Sequence, residues 1–156
     1  MNISEEGKRV FRKFCLIGLG SPTLLLAFVL IAHAVWSPER MEASSRSLNL
    51  ALAGLALAGV AIYAFFSILL YRRLWKLFPY LGEREKGWSY AEGAFGFIGV
   101  GVMMPSVLGV FYYLITRDFI RALVLIALSC LLGIVEAARF PGRIAEVEDF
   151  IAEMKT

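Results

Sequence analysis

The chain has 156 residues, of which 59% are hydrophobic and 19% charged, with a formal net charge of +3. Soluble domains usually hold about 45–50% apolar residues. One soluble core of this length cannot cover the excess, whereas lipid can. The basic residues flank apolar runs and form no stripe interleaved with stacking aromatics, so a membrane surface accounts for the charge and nucleic acid is excluded as a partner.

Lys8, Arg9, Arg12 and Lys13 open the chain, and an uncharged run of 23 residues follows from Phe14 to Trp36. This run exceeds the ~7–15 residues of a signal-peptide core, so it reads as a retained first span. Within it lies Gly18-x-x-x-Pro22-Thr23. Proline removes one backbone donor and crowds the carbonyl four residues earlier; glycine there relieves the crowding, and a neighbouring hydroxyl can bond freed backbone. Residues 37–47 make a short outer connection, in which Ser37-Pro38-Glu39 has the form of a helix start.

The second span is predicted at 48–71, with Ala51, Gly54, Ala58 and Ala61 on one face. Small residues let helix backbones approach closely, either inside one bundle or across an oligomer seam. The 72–92 connection is predicted to hold an interfacial helix stopped at Pro79. Its start carries Arg72, Arg73, Trp75 and Lys76, which together with Trp88 form a basic-aromatic cluster suited to an anionic lipid headgroup.

The third span is predicted at 93–116. It contains five glycines and a second motif of the same form, Gly101-x-x-x-Pro105-Ser106. Recurrence of the pattern in spans one and three suggests two related hairpins, and bent helices of this kind hold ion or substrate sites in transporters. Thr116-Arg117-Asp118 is too short for anything but a tight hairpin into the fourth span, predicted at 119–140. That span holds Arg121 and Glu136. A carboxylate here is costly and faces the negative end of the helix dipole. Arg139, three residues on, is its expected partner; a proton or cation site is the alternative.

Beyond Pro141-Gly142, the apolar positions Ile144, Val147, Phe150, Ile151 and Met154 recur at helical spacing among acidic residues, which predicts an amphipathic cytoplasmic helix over 141–156. The expected fold is therefore all-α: an integral membrane four-helix bundle over 1–140 followed by that helix. Twelve Lys and Arg lie on the side holding both termini and the 72–92 connection, and four lie on the other. This asymmetry places both termini in the cytoplasm of a multi-pass plasma membrane protein, in bacteria the inner membrane.

Cys15 and Cys130 are expected at different depths as free thiols. His33 is the only histidine, so neither a metal site nor a cofactor is expected, and no nucleophile-base arrangement indicates an enzyme. The expected partners are membrane lipids and either further copies of the chain or a partner membrane subunit. Three functions follow. The first is transport, with Glu136, Arg139, Pro22, Thr23, Pro105 and Ser106 as candidate site residues. The second is a structural or assembly subunit that holds a cytoplasmic partner through its C-terminal helix. The third is a lipid-binding or lipid-modifying protein acting at the inner interface.

Overall fold

The computed structural model describes residues 4–36, 45–77 and 83–153, and among them every element is helical. The first helical run comprises α1 (Glu5–Cys15), a wide π-type segment (Leu16–Gly20) and α2 (Ser21–Trp36). The second comprises α3 (Ser45–Ala64), a second π-type segment (Phe65–Leu70) and α4 (Tyr71–Leu77). Two long helices follow, α5 (Arg84–Thr116) and α6 (Phe119–Glu153). Four helices are thus long and apolar enough to cross a membrane: Glu5–Val35, Ser45–Arg73, Glu85–Thr116 and Phe119–Glu153.

Each run is longer than its apolar stretch. The helix of span one begins at Glu5, because the Ser4 side chain accepts a hydrogen bond from the Gly7 amide and Glu5 and Glu6 occupy the positive first turn. The 72–92 connection contains no separate interfacial helix among the described residues: α4 continues span two, and α5 starts at Arg84. Pro79 and Ser37-Pro38-Glu39 lie outside the described residues. At 1.5 Å per residue, α5 and α6 are each about 50 Å long, well beyond a ~30 Å hydrocarbon layer.

Pro141 does not end the helix that holds span four. α6 passes through it without a break, so the acidic C-terminal segment forms the last turns of the same helix. Ile144, Val147 and Ile151 are buried there, whereas Glu146, Asp149 and Glu153 are exposed. Their packing partners are Val10 and Phe14 of α1 and Trp88, Ala91 and Phe95 of α5. Phe140 joins the layers, its ring 4.7 Å from Phe11, 5.9 Å from Phe14 and 5.0 Å from Phe95. The amide of Ser4 also donates to Glu148 Oε1 at 2.8 Å, tying the two ends of the chain together.

A second core lies toward the other end, formed by Val29, Tyr112, Tyr113, Ala122, Leu125 and Ile126. The hairpin there turns on Arg117, the only described non-glycine residue in the left-handed region (φ 57°). Thr116 Oγ1 donates to the Tyr112 carbonyl at 2.8 Å and accepts from the Asp118 amide at 3.2 Å. Arg121 pairs with Asp118 and donates from Nε to Asn49 Oδ1 at 3.0 Å. His33 stacks on Phe119 with ring centroids 4.4 Å apart.

Between the cores, span one crosses spans three and four on glycine. A Cβ on Gly18 would lie 3.5 Å from Gly99 Cα, and one on Gly133 would lie 2.5 Å from Leu19 Cδ2 and 3.1 Å from the Gly18 carbonyl. This is the close backbone approach that small residues permit in lipid. Around the bundle, Leu24, Phe28, Ile31, Leu57, Phe65, Phe97, Phe111, Val124, Leu131 and Ile134 are exposed. An apolar belt on this scale suits hydrocarbon rather than water.

Candidate functional site

The polar centre of the bundle forms where span two meets span four. Glu136 is 3% exposed, and its nearest cation is Arg143, with Nη1 2.9 Å from Oε2 and 3.2 Å from Oε1. Arg139, the expected partner, is exposed. Helix geometry explains the choice. Seven residues bring the chain round to within about 20° of its starting direction, whereas three leave it about 60° off. Side chains also tilt toward the helix N-terminus, so a long arginine two turns later reaches back to the carboxylate.

Span two supplies the remaining donors. Tyr63 Oη donates to Glu136 Oε1 at 2.8 Å, and Ser67 Oγ donates to the same oxygen at 2.5 Å. Arg143 Nη2 in turn donates to Ser67 Oγ at 3.2 Å. Tyr63 and Ser67 are themselves buried. Tyr63, Ser67 and Tyr71 stand four residues apart. In an α-helix each such step overshoots a full turn by about 40°, and the wider π-type turn over Phe65–Leu70 takes back part of that drift, keeping all three toward α6. The Arg143 guanidinium lies 4.7 Å from the Tyr71 ring centroid, and the Tyr71 hydroxyl donates to Glu146, which is exposed. A continuous polar chain therefore runs from the buried carboxylate to the surface.

Chemically, the cluster is a set of donors closed around one anion. Two hydroxyls and a guanidinium converge on the Glu136 carboxylate, which satisfies the burial of both charges. Of these groups, sequence reasoning singled out Glu136 alone. Tyr63 and Ser67 left a signal as polar side chains four apart in an otherwise apolar span, and Arg143 left one in its seven-residue offset.

The other predicted site residues lie apart from this cluster. Pro22 is buried in the first turn of α2, two residues past the first π-type segment, and Thr23 is exposed, its hydroxyl donating to the Leu19 carbonyl at 2.9 Å. Pro105 sits inside an unbroken α5, so the two proline motifs do not fold alike. Ser106 is fully buried, and its hydroxyl finds no hydrogen-bond partner among the described residues.

Arg72, Arg73 and Lys76 are exposed on α4; the side chain of Trp75 lies outside the described residues. Trp88 is not a surface anchor beside them. It is 3% exposed within the core and borders a cavity of about 510 Å³ with Glu6, Arg9 and Glu85. A second cavity of similar volume is apolar, lined by Leu26 of α2 and by Leu123, Ile126, Ala127, Cys130, Leu131 and Ile134 of α6.

Cys15 and Cys130 are free thiols, and no group of His, Cys, Asp and Glu side chains among the described residues is arranged to hold a metal ion. Comparison with known protein families, curated proteins and solved structures finds no match.

Proposed function

We propose that this chain is a small multi-pass protein of a membrane transport system, working as an oligomer in the plasma membrane with both termini in the cytoplasm. The observation that carries the proposal is the burial of Glu136 between two spans, held by Tyr63, Ser67 and Arg143. Ionisable groups inside a membrane are expensive, and they commonly mark ion or substrate pathways. This one is also linked through Arg143 and Tyr71 to a carboxylate at the helix end.

The oligomer follows from the outer face of span two. Ala51, Gly54, Ala58 and Ala61 are all exposed, and a Cβ on Gly54 would meet nothing within 4 Å. Among the described residues that stripe is left exposed, and a second helix would cover it. The orientation rests on the excess of Lys and Arg on one side of the spans. An assembly role through the C-terminal turns has weaker support, since Ile144, Val147 and Ile151 are covered by the chain's own α1 and α5.

The test is flux in vesicles. Purified protein reconstituted with a pH-sensitive dye inside should dissipate an imposed pH gradient when the transported solute is present. Glu136→Gln should abolish this while extracting as the same oligomer. Equal dissipation by that variant would overturn the role given to Glu136.

A further inference from the structure

The donor set around Glu136 identifies the class of solute. We propose that the cluster is an anion site whose resting occupant is the protein's own Glu136, and that protonating Glu136 opens it to a small monovalent anion such as a carboxylate. The inference rests on the transport reading above and names the substrate class of the same site.

Three side chains donate to one carboxylate in the cluster, and Ser67 Oγ also accepts from Arg143 Nη2. Tyr63 Oη, Ser67 Oγ and Arg143 Nη1 all point at the Glu136 carboxylate, within 2.5 to 3.2 Å of an oxygen. A metal cation would have to enter beside a guanidinium that already occupies the favourable position 2.9 Å from Oε2. It would find one carboxylate and two hydroxyls, fewer oxygens than hard cations take. An anion meets the opposite situation, because every group but Glu136 donates or is positive.

Charge balance couples the anion to a proton. The resting pair Glu136⁻–Arg143⁺ is neutral. A proton added to a carboxylate oxygen of Glu136 leaves Arg143⁺ uncompensated in a low-dielectric site, which is unfavourable until an anion replaces the lost charge. Neutral Glu136 plus a bound anion restores neutrality, with the carboxyl now able to donate one hydrogen bond itself.

The surrounding titratable groups are few. Span two presents Tyr63 and Tyr71, while α6 presents Arg139, Arg143 and Glu146. Spans one and three carry no Asp, Glu, Lys or Arg over 14–36 and 93–116, and at their near ends Lys13 is paired with Glu92 at 2.9 Å. Glu136 is thus the one described carboxylate within the apolar stretches of the bundle. Glu146, bonded to Tyr71 whose ring faces Arg143, is the exposed carboxylate at the other end of this chain of contacts.

The experiment is calorimetric titration of the purified, detergent-solubilised full chain with sodium formate, the smallest carboxylate. At neutral pH, Glu136→Gln should bind formate at least roughly tenfold tighter than wild type, because the variant mimics the protonated carboxyl while Arg143 stays charged. Adding Arg143→Gln to that variant should remove the binding. Where Glu136→Gln does not fold, wild type titrated at neutral and at acid pH tests the same point, with binding expected only on the acid side.

Equal formate binding in all proteins and at both pH values, or no binding in any, overturns the anion site. Failure of the transport reading looks different: binding in the predicted pattern with no flux in vesicles sinks transport and leaves the site standing. Flux that depends on Glu136 without formate binding does the reverse.

Discussion

Gly59 of span two packs directly on Pro105 of span three: a Cβ at Gly59 would fall 2.9 Å from the proline Cγ and 3.3 Å from its Cα. The proline therefore does more than interrupt backbone hydrogen bonding. Its ring fills the notch a glycine leaves on the facing helix, and α5 passes through it as one continuous helix.

Gly59→Ala should destabilise the solubilised protein by about 1–3 kcal/mol, the usual cost of overpacking against a rigid neighbour. Gly54→Ala, with open space around its Cβ, should be neutral or stabilising by up to about 1 kcal/mol through helix propensity. Thermal unfolding in detergent separates the two, and identical midpoints would show that the Gly59 contact is loose.

Removing both members of the buried ion pair should cost less than the sum of removing each alone. Breaking a fully buried pair costs roughly 3–5 kcal/mol, and the partial exposure of the Arg143 side chain, 17% against 3% for Glu136, should bring this to about 2–3 kcal/mol. Arg143→Gln and Glu136→Gln should each lose stability on that scale, while the double variant should lose less than the sum of the two, with coupling on the order of 1–3 kcal/mol. Arg139→Gln should stay within about 0.5 kcal/mol of wild type, since Arg139 is exposed. Denaturant titration of the four proteins checks this; additive losses, or a large loss at Arg139, would contradict the pairing.

The exposed stripe on span two should set the oligomer. Gly54→Leu and Ala58→Leu place bulk on a face that is exposed among the described residues, with nothing within 4 Å of a Cβ at Gly54, so the monomer should fold normally while its self-association falls. Native mass spectrometry of gently extracted protein would show the shift. An unchanged oligomer distribution would place the seam elsewhere.

The four long apolar helices and their order were legible in the sequence because apolar runs of roughly 20 residues have the length a hydrocarbon layer requires. The helix ends were less so. Ser4 caps the first helix well before the apolar run begins at Phe14, and Pro141 is accommodated within α6, where Ile144 and Val147 share a core with Val10 and Phe14. Glu136 stood out as an isolated charge, but its partner did not. The i,i+3 rule favoured Arg139, whereas burial selected Arg143, whose position two turns on lets a long side chain remain inside the bundle. The π-type turn over Phe65–Leu70, which aligns Tyr63, Ser67 and Tyr71, has no proline to announce it in the sequence.

Infrared difference spectroscopy on reconstituted protein tests the central claim most directly, because it reads the Glu136 carboxyl itself. Adding formate at mildly acid pH should produce the carbonyl band of a protonated, buried carboxylic acid, with loss of carboxylate absorption, and Glu136→Gln should abolish that band. A formate-dependent band that persists in Glu136→Gln, or no protonation change in wild type on formate binding, would contradict it.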